Sequence, residues 1–168
     1  MTASSLHAQL LFDFQQDESI TKWTVVDDVV MGGRSGGNMF LNEKKQGVFY
    51  GVVSLENNGG FSSVRHAFEK KTIGKSRRIF LKVKGDGKKY QFRIKHKSSD
   101  YHSYVTTFTT KKEWEIVEID IKNLTPTFRG RKVDLPNFDH KTCEQIGFLI
   151  ANKKNEKFQL VINSIEFK

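Results

Sequence analysis

Residues 77 to 97 read RRIFLKVKGDGKKYQFRIKHK, and the fold class turns on how this stretch is parsed. Ile79, Leu81 and Val83 alternate with Arg78, Lys82 and Lys84 on the opposite face; after Gly85-Asp86-Gly87, Tyr90, Phe92 and Ile94 alternate with Arg93, Lys95 and Lys97. A period of two marks a half-buried strand, because successive side chains leave a strand on opposite sides. Glycines flanking Asp86 make positive φ cheap, so the triplet is expected to close a hairpin between 77–84 and 88–97. The charged positions of both strands would then form one basic face.

The same period recurs outward along the chain, in Leu10, Phe12 and Phe14, in Val48, Tyr50 and Val52, and in Phe158, Leu160 and Ile162. Asn57-Asn58-Gly59-Gly60 supplies another turn. Ten to twelve short strands of this kind predict an all-β sandwich of two antiparallel sheets face to face. Helix is confined to two short candidates: 17–22, with Asp17 as cap, and 137–144, entered after Pro136. Around Trp114 to Ile121 the alternation reads as slipping, which predicts a β-bulge. No repeat or linker divides the chain, so residues 1–168 are expected to form one domain.

Composition agrees with a folded chain. Its 168 residues are 37% hydrophobic with 14 Phe, enough for a core despite a mean hydropathy of −0.52. Lys and Arg number 28 against 19 Asp and Glu, a formal charge of +9 that favours acidic partners: nucleic acid, anionic lipid or an acidic protein. A single Cys143 excludes an internal disulfide and a cysteine-rich zinc site. The first eleven residues lack secretory and transit patterns, and no run reaches membrane-spanning length. A cytoplasmic protein without an integral membrane segment is expected, or a mitochondrial one if the chain is the processed form of a eukaryotic protein.

The densest motif is Asp27-Asp28-Val29-Val30-Met31-Gly32-Gly33-Arg34-Ser35-Gly36-Gly37. Its last five residues match the Gly-x-Ser-x-Gly elbow of α/β-hydrolases, but a predicted strand at 38–42 follows where that fold requires a helix. A phosphate-cradling loop is disfavoured too, since neither a following Lys nor a helix is present. The glycines read better as a tight turn where backbone passes close to backbone or ligand. Asp27 and Asp28 could offer carboxylates to a hard cation, yet adjacent aspartates more often bond nearby backbone N–H groups, and that use is favoured here and at Asp86. The five histidines lack metal-binding spacing, and Asp100, Asp120, Asp134 and Asp139 assemble no triad. No catalytic set, no metal and no cofactor is expected. The basic face, with Arg129 and Arg131, keeps nucleic acid open as a ligand, although exposed lysines on strands more often serve solubility.

Three blocks of residues form a further pattern. The first is Trp23, Asp28, Met31, Gly32, Gly33 and Ser35; the second is Phe49, Gly51, Ser54, Leu55, Gly59, Gly60, Phe61, Ser63 and Arg65; the third is Trp114 with Pro126 to Arg131. With Ile146, Gly147 and the closing strand 158–165, this order resembles the complex I intermediate-associated protein 30 family over nearly the whole chain. Two positions depart from it: Asn155-Glu156-Lys157 replaces a Gly-Pro-like turn before Phe158, and Ile119-Asp120-Ile121 lacks a proline. The resemblance implies a galactose-binding-domain-like jelly roll, a fold shared with many carbohydrate-binding modules. It also implies a chaperone-like role in assembling the membrane part of respiratory complex I. Some plant relatives carry the domain within a dehydrogenase-like protein linked to RNA; no dinucleotide-binding segment is present here, so no cofactor follows.

Together these readings predict a monomeric, non-catalytic domain that binds a protein partner such as an assembly intermediate, with carbohydrate or RNA as alternatives. Candidate binding residues are Trp23, Asp28, Met31, Gly32, Gly33, Arg34, Ser35, Arg65, Arg93, Arg129 and Arg131. The loop from Asp28 to Ser35 is expected beside the strand from Gly60 to Arg65, with Trp23, Arg65 and Arg129 on the contact surface. Equally open is a structural use, with Trp23 buried and the arginines tied to carboxylates such as Asp28.

Overall fold

The computed structural model describes residues 9–16 and 20–168. Its strands are β1 Gln9–Asp13, β2 Trp23–Asp27, β3 Gly36–Leu41, β4 Gly47–Val53, β5 Ser62–Thr72, β6 Arg78–Lys84, β7 Lys89–Lys95, β8 Ser103–Thr109, β9 Trp114–Asp120, β10 Thr125–Phe128, β11 Arg131–Lys132, β12 Thr142–Ile150 and β13 Glu156–Phe167. They form two antiparallel sheets packed as a jelly-roll sandwich. The first runs β3-β4-β13-β6-β9, with β1 also paired to β13; the second runs β11-β10-β8-β7-β12-β5-β2. The long β13 organises the first sheet, because β4 covers 156–162 on one flank, β1 continues that flank over 164–167, and β6 takes the other. Between the sheets lie Phe49, Phe92, Phe148, Leu160, Ile162 and their neighbours, all buried. Removing such apolar surface from water is the main force holding the sheets together.

Tyr90, Phe92 and Ile94 point inward as their spacing predicts, and so do Phe158, Leu160 and Ile162. The hairpin at 77–97 does not form. β6 sits between β13 and β9 in the first sheet, while β7 sits between β8 and β12 in the second. Gly85-Asp86-Gly87 therefore carries the chain from one sheet to the other. Asp86 holds the crossing from both sides, accepting the Tyr90 hydroxyl at 3.0 Å and the Gln159 N–H of β13 at 2.9 Å. Arg78, Lys82 and Lys84 consequently face solvent on the first sheet, away from Arg93 and Lys95 on the second, and the single basic face is not built.

Three other expectations change. On β4, Phe49 and Val53 turn inward, and Tyr50 and Val52 are exposed, because Phe49 packs against Phe158 with ring centroids 4.8 Å apart. On β9 no bulge occurs: Trp114 to Asp120 pairs residue for residue with β6, and plain alternation puts Trp114 and Ile116 outside, Val117 and Ile119 inside. The register shifts lie instead in β1, β12 and β13. Residues 137–144 are not helical, because tertiary bonds override a weak local propensity. The Phe138 N–H donates to Leu124 O at 3.0 Å, and β12 begins at Thr142. Of the other predicted helix, residues 17–19 lie outside the described residues and Ile20–Lys22 forms one 3-10 turn. The described residues contain 3-10 turns but no α-helix, and none of their helices is long and apolar enough to cross a membrane.

Candidate binding groove

The glycine-rich loop is built around one carboxylate. After β2 the chain makes a 3-10 turn, Asp28–Met31, closed by Gly32 at φ 88°, a left-handed conformation that favours glycine. Asp28 is 1% exposed. Its Oδ1 accepts the Ser35 N–H at 2.9 Å; its Oδ2 accepts the Ser35 hydroxyl at 2.5 Å, the Gly60 N–H at 2.7 Å and the Phe61 N–H at 3.2 Å. Burial by itself would raise the pKa of this carboxyl, but the bonds from Ser35, Gly60 and Phe61 outweigh burial and hold it below its ordinary 3.8. A Cβ at Gly33 would stand 2.4 Å from the carboxylate and one at Gly59 2.6 Å, so both positions must lack a side chain. Asp27 makes a second tie, accepting from Gly37 N–H at 2.9 Å and from the Ser62 hydroxyl at 2.5 Å.

The chemistry open to this loop is narrow. A carboxylate offers about four lone-pair sites. Asp28 uses its acceptor capacity on protein donors instead of a cation. Ser35 is buried, gives its proton to Asp28 and accepts the Ser54 N–H at 2.9 Å, so its oxygen is enclosed, not presented as a nucleophile.

The other sequence candidates scatter. Trp23 is 5% exposed, packed among Phe12, Phe14, His66 and Phe148, and lines no surface. Met31 contributes backbone to the turn, and its side chain lies outside what the structure describes. Arg34 is exposed, with Nε 3.5 Å from Glu56 Oε2, and Arg131 is exposed on the edge strand β11. Arg65, Arg93 and Arg129 are brought together elsewhere, on the outer face of the second sheet.

Three adjacent strands make that place. Gly147 on β12 pairs with Arg65 on β5 and with Arg93 on β7, so the two arginines flank a residue without a side chain. A Cβ at Gly147 would come within 2.6 Å of the Val64 carbonyl oxygen, which keeps the notch open. A groove of about 410 Å³ runs over it, bordered by Lys95, Arg129, Tyr101 and Phe128 and floored in part by Gln91 and Gln145. Arg129 lies over the Phe128 ring, 5.2 Å from its centroid; Tyr101, 60% exposed, meets Phe128 edge-on at 5.2 Å. Burial, and after it the Arg65 charge, lower the pKa of Arg93 to about 10; burial also lowers Arg65. Lys95 is lowered by burial, then by Arg65 and Arg93, against an opposing pull from Asp100. Arg93 donates to Gln91 Oε1 at 3.0 Å and Lys95 to the Asp100 carbonyl at 2.5 Å. Among the described residues no carboxylate forms an ion pair with Arg65, Arg93 or Arg129.

Tyr101, Phe128, Lys95 and Gly147 are groove residues absent from the sequence candidates. Phe128 stands in the third block of residues quoted above and Gly147 among the residues named with it, which was the available signal. The meeting of Arg65 with Arg93 has no local signal, since only pairing through β12 joins them.

A family model described as complex I intermediate-associated protein 30 matches residues 12–162. The mitochondrial complex I intermediate-associated protein 30 of Mus musculus is 25% identical over 183 residues, spanning 94% of this chain and 55% of its own length. That of Drosophila melanogaster is 24% identical over 168 residues, spanning 86% and 57%. An uncharacterized Schizosaccharomyces pombe protein is 30% identical over 163 residues, spanning 83% and 74%. The chain thus covers little more than half of the mouse and fly proteins. Among solved structures, the family 11 carbohydrate-binding module of Clostridium thermocellum in complex with a mixed-linked tetrasaccharide aligns at TM-score 0.71 and 17% identity, over 95% of this chain and 94% of that one. A low-affinity xylan-binding module from Roseburia intestinalis aligns at TM-score 0.51 and 12% identity, over 89% and 90%. At such identities the likeness shows the jelly-roll fold and nothing about ligand.

Proposed function

This chain belongs to the complex I intermediate-associated protein 30 family, and from that membership we propose that it is a non-catalytic domain that binds a protein partner. The partner is an assembly intermediate, and the role is chaperone-like, in building respiratory complex I. One observation supports the binding surface: arginines that form no ion pair among the described residues and exposed aromatics converge in the groove over Gly147, while Asp28 and Ser35 are occupied in holding the loop together. Arginines and aromatics in partly desolvated pockets are the residue types that dominate protein–protein binding energy. The mouse and fly relatives are described as mitochondrial, and the reading places this chain's partner in that compartment, with the domain acting as a monomer.

Purification of the tagged full chain from its native cells tests the proposal. Recovery of subunits of one respiratory assembly is the expected result. Absence of protein companions, together with binding on a glycan array, would overturn it in favour of a second reading. That reading, carbohydrate binding in the same groove, is favoured by one observation: Tyr101 is 60% exposed beside Phe128, offering a ring to stack on.

A further inference from the structure

We infer that the notch over Gly147 is an anion site, in which Arg65 and Arg93 grip a carboxylate side chain of an acidic peptide segment held against Tyr101 and Phe128. The inference rests on the protein-partner reading above and names the chemistry of that partner.

Geometry comes first. Strands in a sheet lie about 4.8 Å apart, so arginines on the two neighbours of β12 start about 10 Å from each other, within the combined reach of two long side chains. Gly147 leaves the space between them empty, and the Val64 carbonyl below it bars any side chain from filling that space. A guanidinium presents a planar fork of donors that matches a carboxylate bidentately.

Charge is the second argument. Folding has moved Arg65, Arg93 and Lys95 partly out of water, the Arg65 charge opposes the protonated form of Arg93, and both arginines oppose that of Lys95. Such an arrangement is unfavourable unless an anion completes it. The Gln91 amide supplies Arg93 with a dipole and no charge, and the Asp100 carboxylate offsets part of the repulsion at Lys95 alone, so Arg65 and Arg93 keep no paired negative charge among the described residues. A neutral sugar would leave the repulsion in place.

Shape selects peptide over nucleic acid. A polyanionic backbone needs a continuous cationic track, and Lys82 and Lys84 lie on the other sheet. The groove is instead short and partly apolar, walled by Phe61, Leu149 and Ala151 as well as the arginines. Alternating acidic and apolar side chains fit such a wall.

The test uses the full chain and a fluorescein-labelled peptide alternating Glu and Leu, with a Gln-for-Glu copy and oligogalacturonate as separate arms. The Glu peptide is expected to bind and the Gln copy not. Arg65→Gln and Arg93→Gln should each weaken binding about tenfold or more, and Lys82→Gln, on the opposite sheet, should leave it unchanged. Arg93→Lys keeps the charge and loses the fork; it should weaken binding less, and it replaces Arg93→Gln if that variant does not fold. Equal binding of both peptides, indifference of the Glu peptide to the arginine variants, or binding of oligogalacturonate alone would overturn the assignment. Companion purification with the Arg65→Gln/Arg93→Gln double variant separates the two proposals. Undiminished recovery of the wild-type companions sinks the groove and leaves the protein-partner reading standing, whereas no companions for the wild type sinks that reading itself.

Discussion

Asp28 shows how far one buried carboxylate can fix a loop. Its acceptors meet backbone from both the glycine-rich turn and the two residues that lead into β5, so two segments distant in sequence close on the same atom pair. Asp28→Asn replaces an acceptor by an NH₂ facing N–H donors, and is expected to cost about 2 to 4 kcal/mol in chemical denaturation. The pH dependence follows from the same bonds. Because the folded pKa lies below the ordinary 3.8, the contribution is complete above that value and lost as pH falls through the lower folded one. Wild-type stability should therefore drop on acidification below about pH 4, and Asp28→Asn should lack that part of the drop. Gly33→Ala probes the space instead of the charge: its Cβ would overlap the carboxylate, and a loss of about 1 to 3 kcal/mol is expected from the same denaturation curves. A Gly33→Ala variant as stable as wild type would refute the steric account of the glycine run.

The crossing at Gly85-Asp86-Gly87 belongs to the next scale. Asp86 bonds Tyr90 on the second sheet and Gln159 on the first, and a Cβ at Gly85 would stand 2.1 Å from Thr110 Oγ1. Burial, then the Asp86 charge, push the Tyr90 phenol up, so it stays a donor to that carboxylate at any ordinary pH. Asp86→Ala leaves the Tyr90 hydroxyl and the Lys88 and Gln159 N–H groups without their acceptor and should cost about 2 kcal/mol, read from the thermal midpoint. The crossing also marks the limit of what the chain reveals locally. Period-two spacing placed Tyr90, Phe92 and Ile94 in the core correctly, since a strand's own alternation decides which side chains share a face. Which sheet a strand joins depends on partners elsewhere in the chain, so two good strands around a Gly-Asp-Gly turn look like a hairpin whether or not they pair. On β4 both faces carry apolar residues, and spacing alone could not tell that Phe49, not Tyr50, meets Phe158. The groove was legible as separate arginines. Its notch was not, because Arg65 and Arg93 become neighbours only when β12 lies between their strands.

At the scale of the whole molecule, the sheets depend on each other for their core. The chain passes repeatedly between them, and aromatic contacts span the interface: Phe12 of β1 meets Trp23 of β2 at 5.2 Å, and Tyr90 of β7 meets Phe158 of β13 at 6.5 Å. Separating the sheets would expose both inner faces at once, so a partly unfolded form keeping one sheet gains little. We propose that the chain is one cooperative unit, and its two tryptophans can test this. Trp23 lies in the core against the second sheet; Trp114 stands at the exposed edge of the first. Trp114→Phe leaves a probe of the former and Trp23→Phe a probe of the latter. In each variant the fluorescence midpoint in urea should coincide with that from far-ultraviolet circular dichroism, even though the loss of buried indole packing makes Trp23→Phe the less stable of the two. A Trp114 signal that changes at clearly lower urea than the circular dichroism would mean that the first sheet opens alone. The groove on the second sheet would then not require the first to hold its shape.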